Sequence, residues 1–298
     1  MAVQSPAILF GIYREHLQLK KIIREYQVDA VISDNRFGMW SGKAYSVYMT
    51  HQLMIKAPEN MKWAEPCLFK AHQWLIRHYD ECWVPDFPGG KNLSGDLSHQ
   101  HPIPKSGHFI GILSRFENPE RAAGTVAGKE GPDLLIMISG PEPQRTIFET
   151  LILNELASFP LQNVVILQGL PGVLKQSSPL PGVRLFNHLP DGEISRLIGN
   201  AGKIICRPGY STIMDLVALG RNAILVPTPG QTEQEYLARH LSSDGLFIRM
   251  EQDGFKLGLA LQADKKLPES IDFQNDHSLL EARINALNNR LSHNKYRV

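Results

Sequence analysis

Short apolar runs alternate with stretches whose apolar residues recur at helical spacing along nearly the whole chain. Runs of that kind, each followed by an amphipathic helix, fit parallel strands joined by crossover helices, which makes the chain an α/β protein with helices covering its sheets. The first helical stretch is residues 12–27, where Ile12, Leu19, Ile22, Ile23 and Tyr26 fall near one face. A strand at 30–33 ends in the polar loop Asp34-Asn35-Arg36-Phe37-Gly38, and a second at 45–50 leads into His51-Gln52. A helix around 65–79 and a strand at 81–84 follow.

Residues 86–106 interrupt the pattern with Pro88, Gly89, Gly90, Gly95, Pro102 and Pro104, and read as a linker. The alternation then restarts. Strands are expected at 108–113, 133–138, 164–167, 183–186, 203–206, 223–226 and 246–249, and helices at 143–157, 190–199, 211–219 and 232–243. A terminal amphipathic helix is expected at 277–291, and loops at 118–132 and 263–276. The expected organisation is a partial first domain over 1–90, a linker over 91–107 and a complete doubly wound domain over 108–298. The first domain opens on a helix rather than on a strand and glycine loop. At ~30 residues or more per βαβ unit, it is expected to lack its opening strand–loop–helix units, roughly 60–90 residues.

Composition narrows the partners. Lys and Arg number 31 against 30 Asp and Glu, a net charge of +1 with no basic block, which argues against nucleic acid. The three cysteines, Cys67, Cys82 and Cys206, are odd in number and far apart, as expected of reduced thiols in the cytoplasm. Cys206 ends a strand-like run and reads as a buried hydrophobe. No apolar run reaches the roughly 18–20 residues of a membrane span, and the N-terminus lacks the basic region of a signal peptide.

Three loops carry the chemistry. In Cys206-Arg207-Pro208-Gly209-Tyr210-Ser211-Thr212-Ile213-Met214-Asp215, a strand gives way through Gly209 to a helix. Unpaired amides and the positive end of the helix dipole suit a diphosphate there. Ser211 or Thr212 can add a hydroxyl, Arg207 a charge, and Asp215 a carboxylate for both hydroxyls of a ribose. Taken alone, the same residues are equally an N-cap and a turn. One βα unit later, Pro227-Thr228-Pro229-Gly230-Gln231 precedes a helix whose first turn holds Glu233 and Gln234, able to bond sugar hydroxyls or simply to cap the helix. The third loop, Ser139-Gly140 after the strand 133–138, again presents backbone donors. Together they lie at the sheet edge where open α/β folds bind ligands.

Residues 203–241, with their Arg-x-Gly-x-x-Thr-x-x-Asp segment, Pro-rich loop and Gln234, resemble the donor domain of GT-B glycosyltransferases. Within that fold the segment is similar to the bacterial cell-wall muropeptide N-acetylglucosaminyltransferase group, glycosyltransferase family 28. The likeness covers about 108–250 well and 28–85 loosely, and it implies two Rossmann-like doubly wound domains. It matches Gly209 and Thr212 to the phosphate-binding positions, Asp215 to the ribose-binding glutamate and Gln234, with Glu233 beside it, to the sugar contact. Ser139-Gly140 matches the diphosphate loop, and Asn187 and His188 fall where main chain reads the base. Gly230 and Gln231 complete the donor set with Arg207 and Ser211. Leu237 stands where the group has asparagine, which leaves the donor sugar open.

On the first domain, Asn35, Arg36 and Gln52 are the expected acceptor-side residues. The catalytic base is unassigned, with Asp34 and His51 as candidates. The implied activity is transfer of a sugar from a nucleoside diphosphate, UDP by resemblance, to an acceptor hydroxyl. Peripheral membrane association follows if the acceptor is a lipid. The alternatives are a sugar-nucleotide hydrolase or epimerase on the same fold, or a donor-binding fragment or subunit inactive alone. No cofactor or metal is expected, since the helix dipole and Arg207 would stabilise the departing diphosphate.

Overall fold

The computed structural model describes residues 5–116, 131–159, 161–170, 180–263 and 277–294. The chain divides into two units, Met1–Ile112 with Asn275–Val298, and Leu113–Gln274. The expected loops at 118–132 and 263–276 lie almost wholly outside the described residues.

In the first unit, helix α1 (Ser5–Tyr26) leads through Gln27, at positive φ, to β1 (Ala30–Asp34) and β2 (Tyr45–Met49). A 3-10 turn (Glu59–Ala64), α2 (Glu65–Ile76), β3 (Glu81–Val84), α3 (Asp96–His99) and β4 (Gly107–Phe109) follow. The sheet order is β1-β2-β3-β4 and every pairing is parallel, in register Ala30↔Tyr45, Val47↔Glu81 and Cys82↔Gly107. One face of α1 buries Leu19 and Ile23 with Ala44 and packs on Val28, Val31 and Met39. The chain after β1 comes so close to α1 that a Cβ on Gly38 would run into the carbonyl of Ile12. Tyr48, Ile76, Tyr79, Cys82 and Val84 form a second buried cluster.

Two expected boundaries are corrected. The strand at 108–113 does not open the second domain. The strand there, β4, ends at Phe109 and completes the first sheet beside β3, and Ile110 N–H donates to the Val84 carbonyl. The terminal helix, α9 (Ser278–Asn294), also belongs to the first unit: Arg290 donates to the Tyr45 hydroxyl at 2.9 Å, and Arg283 lies 3.3 Å from the His108 ring. Both sheets are parallel with similar apolar patterns, so local sequence does not tell which sheet a strand joins.

The segment 91–107 is not a free linker either. Leu93 and Leu97 are fully buried, and the wholly buried Asp86 carboxylate organises the backbone around it. It accepts hydrogen bonds from the amides of Phe87, Leu93 and Ser94 at 2.8–2.9 Å, from the Ser94 hydroxyl, and from His99 at 3.3 Å. His99 stacks on Phe109, and His101 packs on Phe69.

Burial pulls the Asp86 pKa upward, but the donors from His99, Ser94 and Leu93 outweigh it and hold the carboxyl below its ordinary range. Stability from such a group is present above the unfolded-state pKa and is lost as pH falls through the folded one. Asp86→Ala leaves buried amides without an acceptor and is expected to cost about 3 kcal/mol. Urea denaturation checks this, and the deficit should shrink below about pH 4, where the wild-type carboxyl protonates in the unfolded chain. A neutral effect at pH 7 would remove the assigned role.

The second unit runs β5 (Leu134–Met137), α4 (Gln144–Ser158), β6 (Val164–Leu167), β7 (Val183–Phe186), α5 (Asp191–Asn200), β8 (Lys203–Cys206), α6 (Tyr210–Ala218), β9 (Ile224–Leu225), α7 (Thr232–Ser243), β10 (Ile248–Arg249) and α8 (Leu257–Ala263). All its strands pair in parallel, in the order β10-β9-β8-β5-β6-β7. Leu134, Ile136, Val164, Ile166, Ile205 and Ile224 supply the core, with Phe148 and Ile152 of α4 against them. Cys206 is completely buried, as read from sequence, and burial pushes its thiol up to about 12. The strand order grows outward from β5 in both directions, so the chain reverses its winding between β5 and β8. Ligands of open α/β sheets bind at the carboxyl ends of the strands flanking such a switch.

Candidate functional site

The loops after β5 and β8 flank the switch point, and the loop after β9 stands next to them. These are the three loops that the sequence singled out. A cavity of about 430 Å³ lies there, lined by Leu113, Arg115, Ser211, Thr212 and Asp215. Ser211 is exposed and Thr212 half-exposed in the first turn of α6, where helix geometry gives a backbone N–H no intrahelical acceptor. No side chain caps this end of the helix. The cavity therefore combines main-chain donors, two hydroxyls, a cation and a carboxylate.

Asp215 is nearly buried, and its carboxylate is already engaged. It accepts a hydrogen bond from the Ser114 hydroxyl at 2.7 Å and lies 3.5 Å from Arg115 Nε. Burial raises its pKa, and the Ser114 hydrogen bond and the Arg115 charge offset only part of that rise. Arg115 also bonds Asp191 at 2.7 Å and is half-exposed, so its guanidinium spans two carboxylates at the cavity wall. Neither Ser114 nor Arg115 belongs to the donor set drawn from the sequence. Nothing local marks them; only the fold brings residues 114 and 115 beside residue 215.

Gly209 departs from its expected role. Its φ of −72° and ψ of 137° suit any residue, an added Cβ would meet only Thr212 Oγ1 at 3.8 Å, and its amide donates to the Arg207 carbonyl at 2.9 Å. That amide is therefore not offered to a ligand, and the main-chain donors of the first turn begin two residues further on, at Ser211.

Arg207 is the larger correction. It is completely buried, with its guanidinium stacked 4.0 Å above the Phe148 ring. It donates to the carbonyls of Val226 at 2.9 Å and Pro227 at 3.0 Å, to Gln144 O at 3.4 Å and to Gln252 Oε1. Burial pulls its pKa down to about 10, which still leaves it charged at neutral pH. The side chain points inward because Phe148 and those carbonyls form a polar socket beneath the sheet edge. Arg207 therefore fastens the start of α4 and the loops after β8, β9 and β10 to one another, and it is not among the residues that line the cavity.

The loop after β9 is similarly self-bound. Gln234 is buried and accepts the Thr228 amide at 2.9 Å. Gly230, at φ +79°, donates its amide to Glu235, and Gln231 precedes α7 with its amide on Thr228 O. Gln231 is exposed and Glu233 half-exposed. Leu237 is fully buried, so the side chain standing where asparagine was expected packs into the core. Ser139 and Gly140 are exposed, and Gly140 has φ +111°, a conformation that favours glycine. At the edge strand β7, Asn187 is half-buried and its carbonyl accepts the Leu170 amide, while His188 is exposed.

Residues 183–285 match the family model of the glycosyltransferase family 28 C-terminal domain. The segment 203–241, on which the resemblance was read, falls inside that match. Two curated relatives share the name UDP-N-acetylglucosamine--N-acetylmuramyl-(pentapeptide) pyrophosphoryl-undecaprenol N-acetylglucosamine transferase. The Desulforudis audaxviator (strain MP104C) protein is 54% identical over 58 residues, 19% of this chain and 16% of that protein. The Actinobacillus pleuropneumoniae serotype 5b (strain L20) protein is 22% identical over 254 residues, 83% of this chain and 66% of that one. The chain thus spans less than two thirds of the length of either relative.

Among solved structures, the glycotransferase of kitacinnamycin superposes with a TM-score of 0.58 at 14% identity, covering 88% of this chain and 73% of that one. The Methanocaldococcus jannaschii UDP-GlcNAc 2-epimerase, solved with UDP-GlcNAc and UDP, gives 0.57 at 12% identity and covers 93% and 80%. These likenesses establish the GT-B fold.

In the first unit, the expected acceptor-side residues also sit at carboxyl ends of parallel strands. Asn35, at φ 51°, accepts hydrogen bonds on Oδ1 from the Tyr48 hydroxyl at 2.8 Å and from Thr50 Oγ1 at 3.3 Å. Behind it the buried His72 ring contacts the Tyr48 hydroxyl at 3.2 Å and Leu53 O at 3.2 Å, and burial lowers its pKa. Arg36 pairs with Glu15, and the Gln52 amide donates to Thr50 Oγ1. Asp34 is exposed; the His51 carbonyl accepts the Ser98 hydroxyl, which anchors its backbone.

Proposed function

We propose that the chain is a glycosyltransferase that takes a sugar from a nucleoside diphosphate, UDP in the first instance, and passes it to an acceptor hydroxyl. The observation that carries this reading is the cavity at the switch point, where the first turn of α6 and the Asp215 carboxylate face one space. In this reading the diphosphate takes the main-chain donors and hydroxyls of Ser211 and Thr212, with Ser139 and Gly140 on the neighbouring loop. Asp215 takes the ribose, turning from Ser114 toward the sugar hydroxyls. Arg115, half-exposed beside it, supplies the positive charge assigned from sequence to Arg207. Gly230, Gln231, Glu233 and Gln234 are proposed near the donor sugar, and Asn187 and His188 near the base.

The family 28 match supports sugar transfer, and the names of the curated relatives support a UDP-sugar donor and a lipid-linked acceptor. Acceptor binding is assigned to Asn35, Arg36 and Gln52, and the base to Asp34 or His51. Peripheral membrane association belongs to the same proposal through the acceptor. So does a cytoplasmic location, with which the three free cysteines agree.

Calorimetry against UDP-, GDP- and dTDP-sugars tests the donor assignment, with a UDP-sugar expected to bind tightest. UDP release, followed with and without candidate lipid-linked acceptors, separates transfer from hydrolysis or epimerisation on the same fold. Release that rises at least about tenfold with acceptor, a barrier change near 1.4 kcal/mol, is the expected result. Release indifferent to every acceptor would favour the hydrolase.

A further inference from the structure

A second cavity, of about 310 Å³, lies in the first unit at the opposite end of its sheet from the loops that carry Asn35 and Gln52. Lys20, Ile23 and Arg24 line it from the last two turns of α1, and Ser41, Gly42 and Lys43 line it from the turn that enters β2. Half of its lining residues are cations. Among the described residues, none of the three charged heads has an acidic partner. Elsewhere in this unit Arg36 pairs with Glu15 and Lys56 with Asp96.

The turn is built rather than loose. Ser41 is buried, its amide donates to Ser46 Oγ at 3.0 Å, and Ser46 Oγ donates to the Ala44 carbonyl at 3.1 Å. Ser41 Oγ accepts the Lys43 amide at 3.2 Å, which leaves its proton to donate. Ile23, nearly buried, gives the cavity an apolar floor.

Like charges four residues apart on a helix, such as Lys20 and Arg24, repel each other, and Lys43 adds a third positive charge to the same space. Such an arrangement is relieved by an anion of two or more charges, and several donors converging on oxygen select oxyanions. We propose that this cavity binds a phosphate-class anion, a diphosphate or a phosphate monoester, at a site separate from the donor cavity of the second unit. Two sources present that chemistry: a soluble phosphate compound and the headgroup of an anionic lipid.

Calorimetry with inorganic diphosphate at low salt tests the site on the whole chain. Both lysines and Arg24 are exposed, so their substitution should leave the thermal midpoint unchanged. The double variant K20A/R24A and the single variant K43A are expected to weaken binding, the double at least about tenfold from the loss of two charge-assisted contacts. K21A, which removes a neighbouring exposed cation outside the cavity, should bind as the wild type does. K20R with R24K should restore affinity.

Unchanged binding in K20A/R24A, or an equal loss in K21A, would overturn the proposal. The donor cavity contains none of these residues, so diphosphate bound there would survive in K20A/R24A. Sedimentation with phosphatidylcholine vesicles, with and without phosphatidic acid, distinguishes the sources. Vesicle binding that needs phosphatidic acid and is lost in K20A/R24A assigns the anion to a headgroup. Loss confined to free diphosphate assigns it to a solute.

Discussion

Asp215→Ala is expected to lower donor-nucleotide affinity by about a hundredfold or more, with the protein still folded. Two hydrogen bonds from ribose hydroxyls to a carboxylate contribute roughly 1.5–3 kcal/mol each, and their loss sets that scale. Calorimetry with UDP measures it, and unchanged affinity would remove the ribose assignment.

The raised pKa of Asp215 adds a second, independent readout. An acid whose pKa is higher folded than unfolded is costly to keep ionised. Its ionised form opposes folding at neutral pH, and that cost disappears as pH falls through the raised value. Asp215→Asn removes the cost and keeps an acceptor for the Ser114 hydroxyl, so its thermal midpoint should equal or exceed the wild-type value. Donor affinity in the wild type should start to decline, on acidification, above the ordinary aspartate range near 4. The asparagine variant should lose that decline together with the affinity.

Arg207→Lys should do something different: destabilise the protein by about 2–4 kcal/mol and weaken donor binding only as a consequence. A lysine ammonium has three donors at one point, whereas the guanidinium reaches four separate acceptors, Val226 O, Pro227 O, Gln144 O and Gln252 Oε1. At least one buried carbonyl is left without a donor, and the stacking on Phe148 is weakened. Denaturant titration measures the first effect, and calorimetry at a temperature where the variant is fully folded measures the second. An arginine bound to diphosphate would give the opposite pattern, with intact stability and a selective loss of binding. That result would return Arg207 to the ligand.

The two residues show what was legible in the chain and what was not. The alternation of strands and helices, the parallel sheets and the three loops at the switch point could all be read, because each depends on spacing within about ten residues. Ser211, Thr212 and Asp215 line one cavity as expected. The direction of a loop side chain is another matter. Arg207 faces inward because Phe148, distant in sequence, stands beneath it, and Asp215 is occupied because Ser114 approaches across a hundred residues. Gly209 was read as a turn glycine, yet its backbone is extended and its amide is bonded locally. Sheet membership failed for the same reason: the three residues of β4 look like those of any parallel strand, and only their pairing with Cys82–Val84 assigns them.

Because α9 belongs with the first sheet, the whole of Leu113–Gln274 is an insertion: the polypeptide leaves the first unit once and comes back to it. Anything fused to or cleaved from the C-terminal helix therefore acts on the half that holds Tyr45 and His108, even though the nearest preceding sequence belongs to the second unit. Trimming the tail to simplify the second unit would instead remove the helix that contacts Tyr45 and His108 of the first sheet. The segment to excise for a free-standing second unit has two cut points, not one.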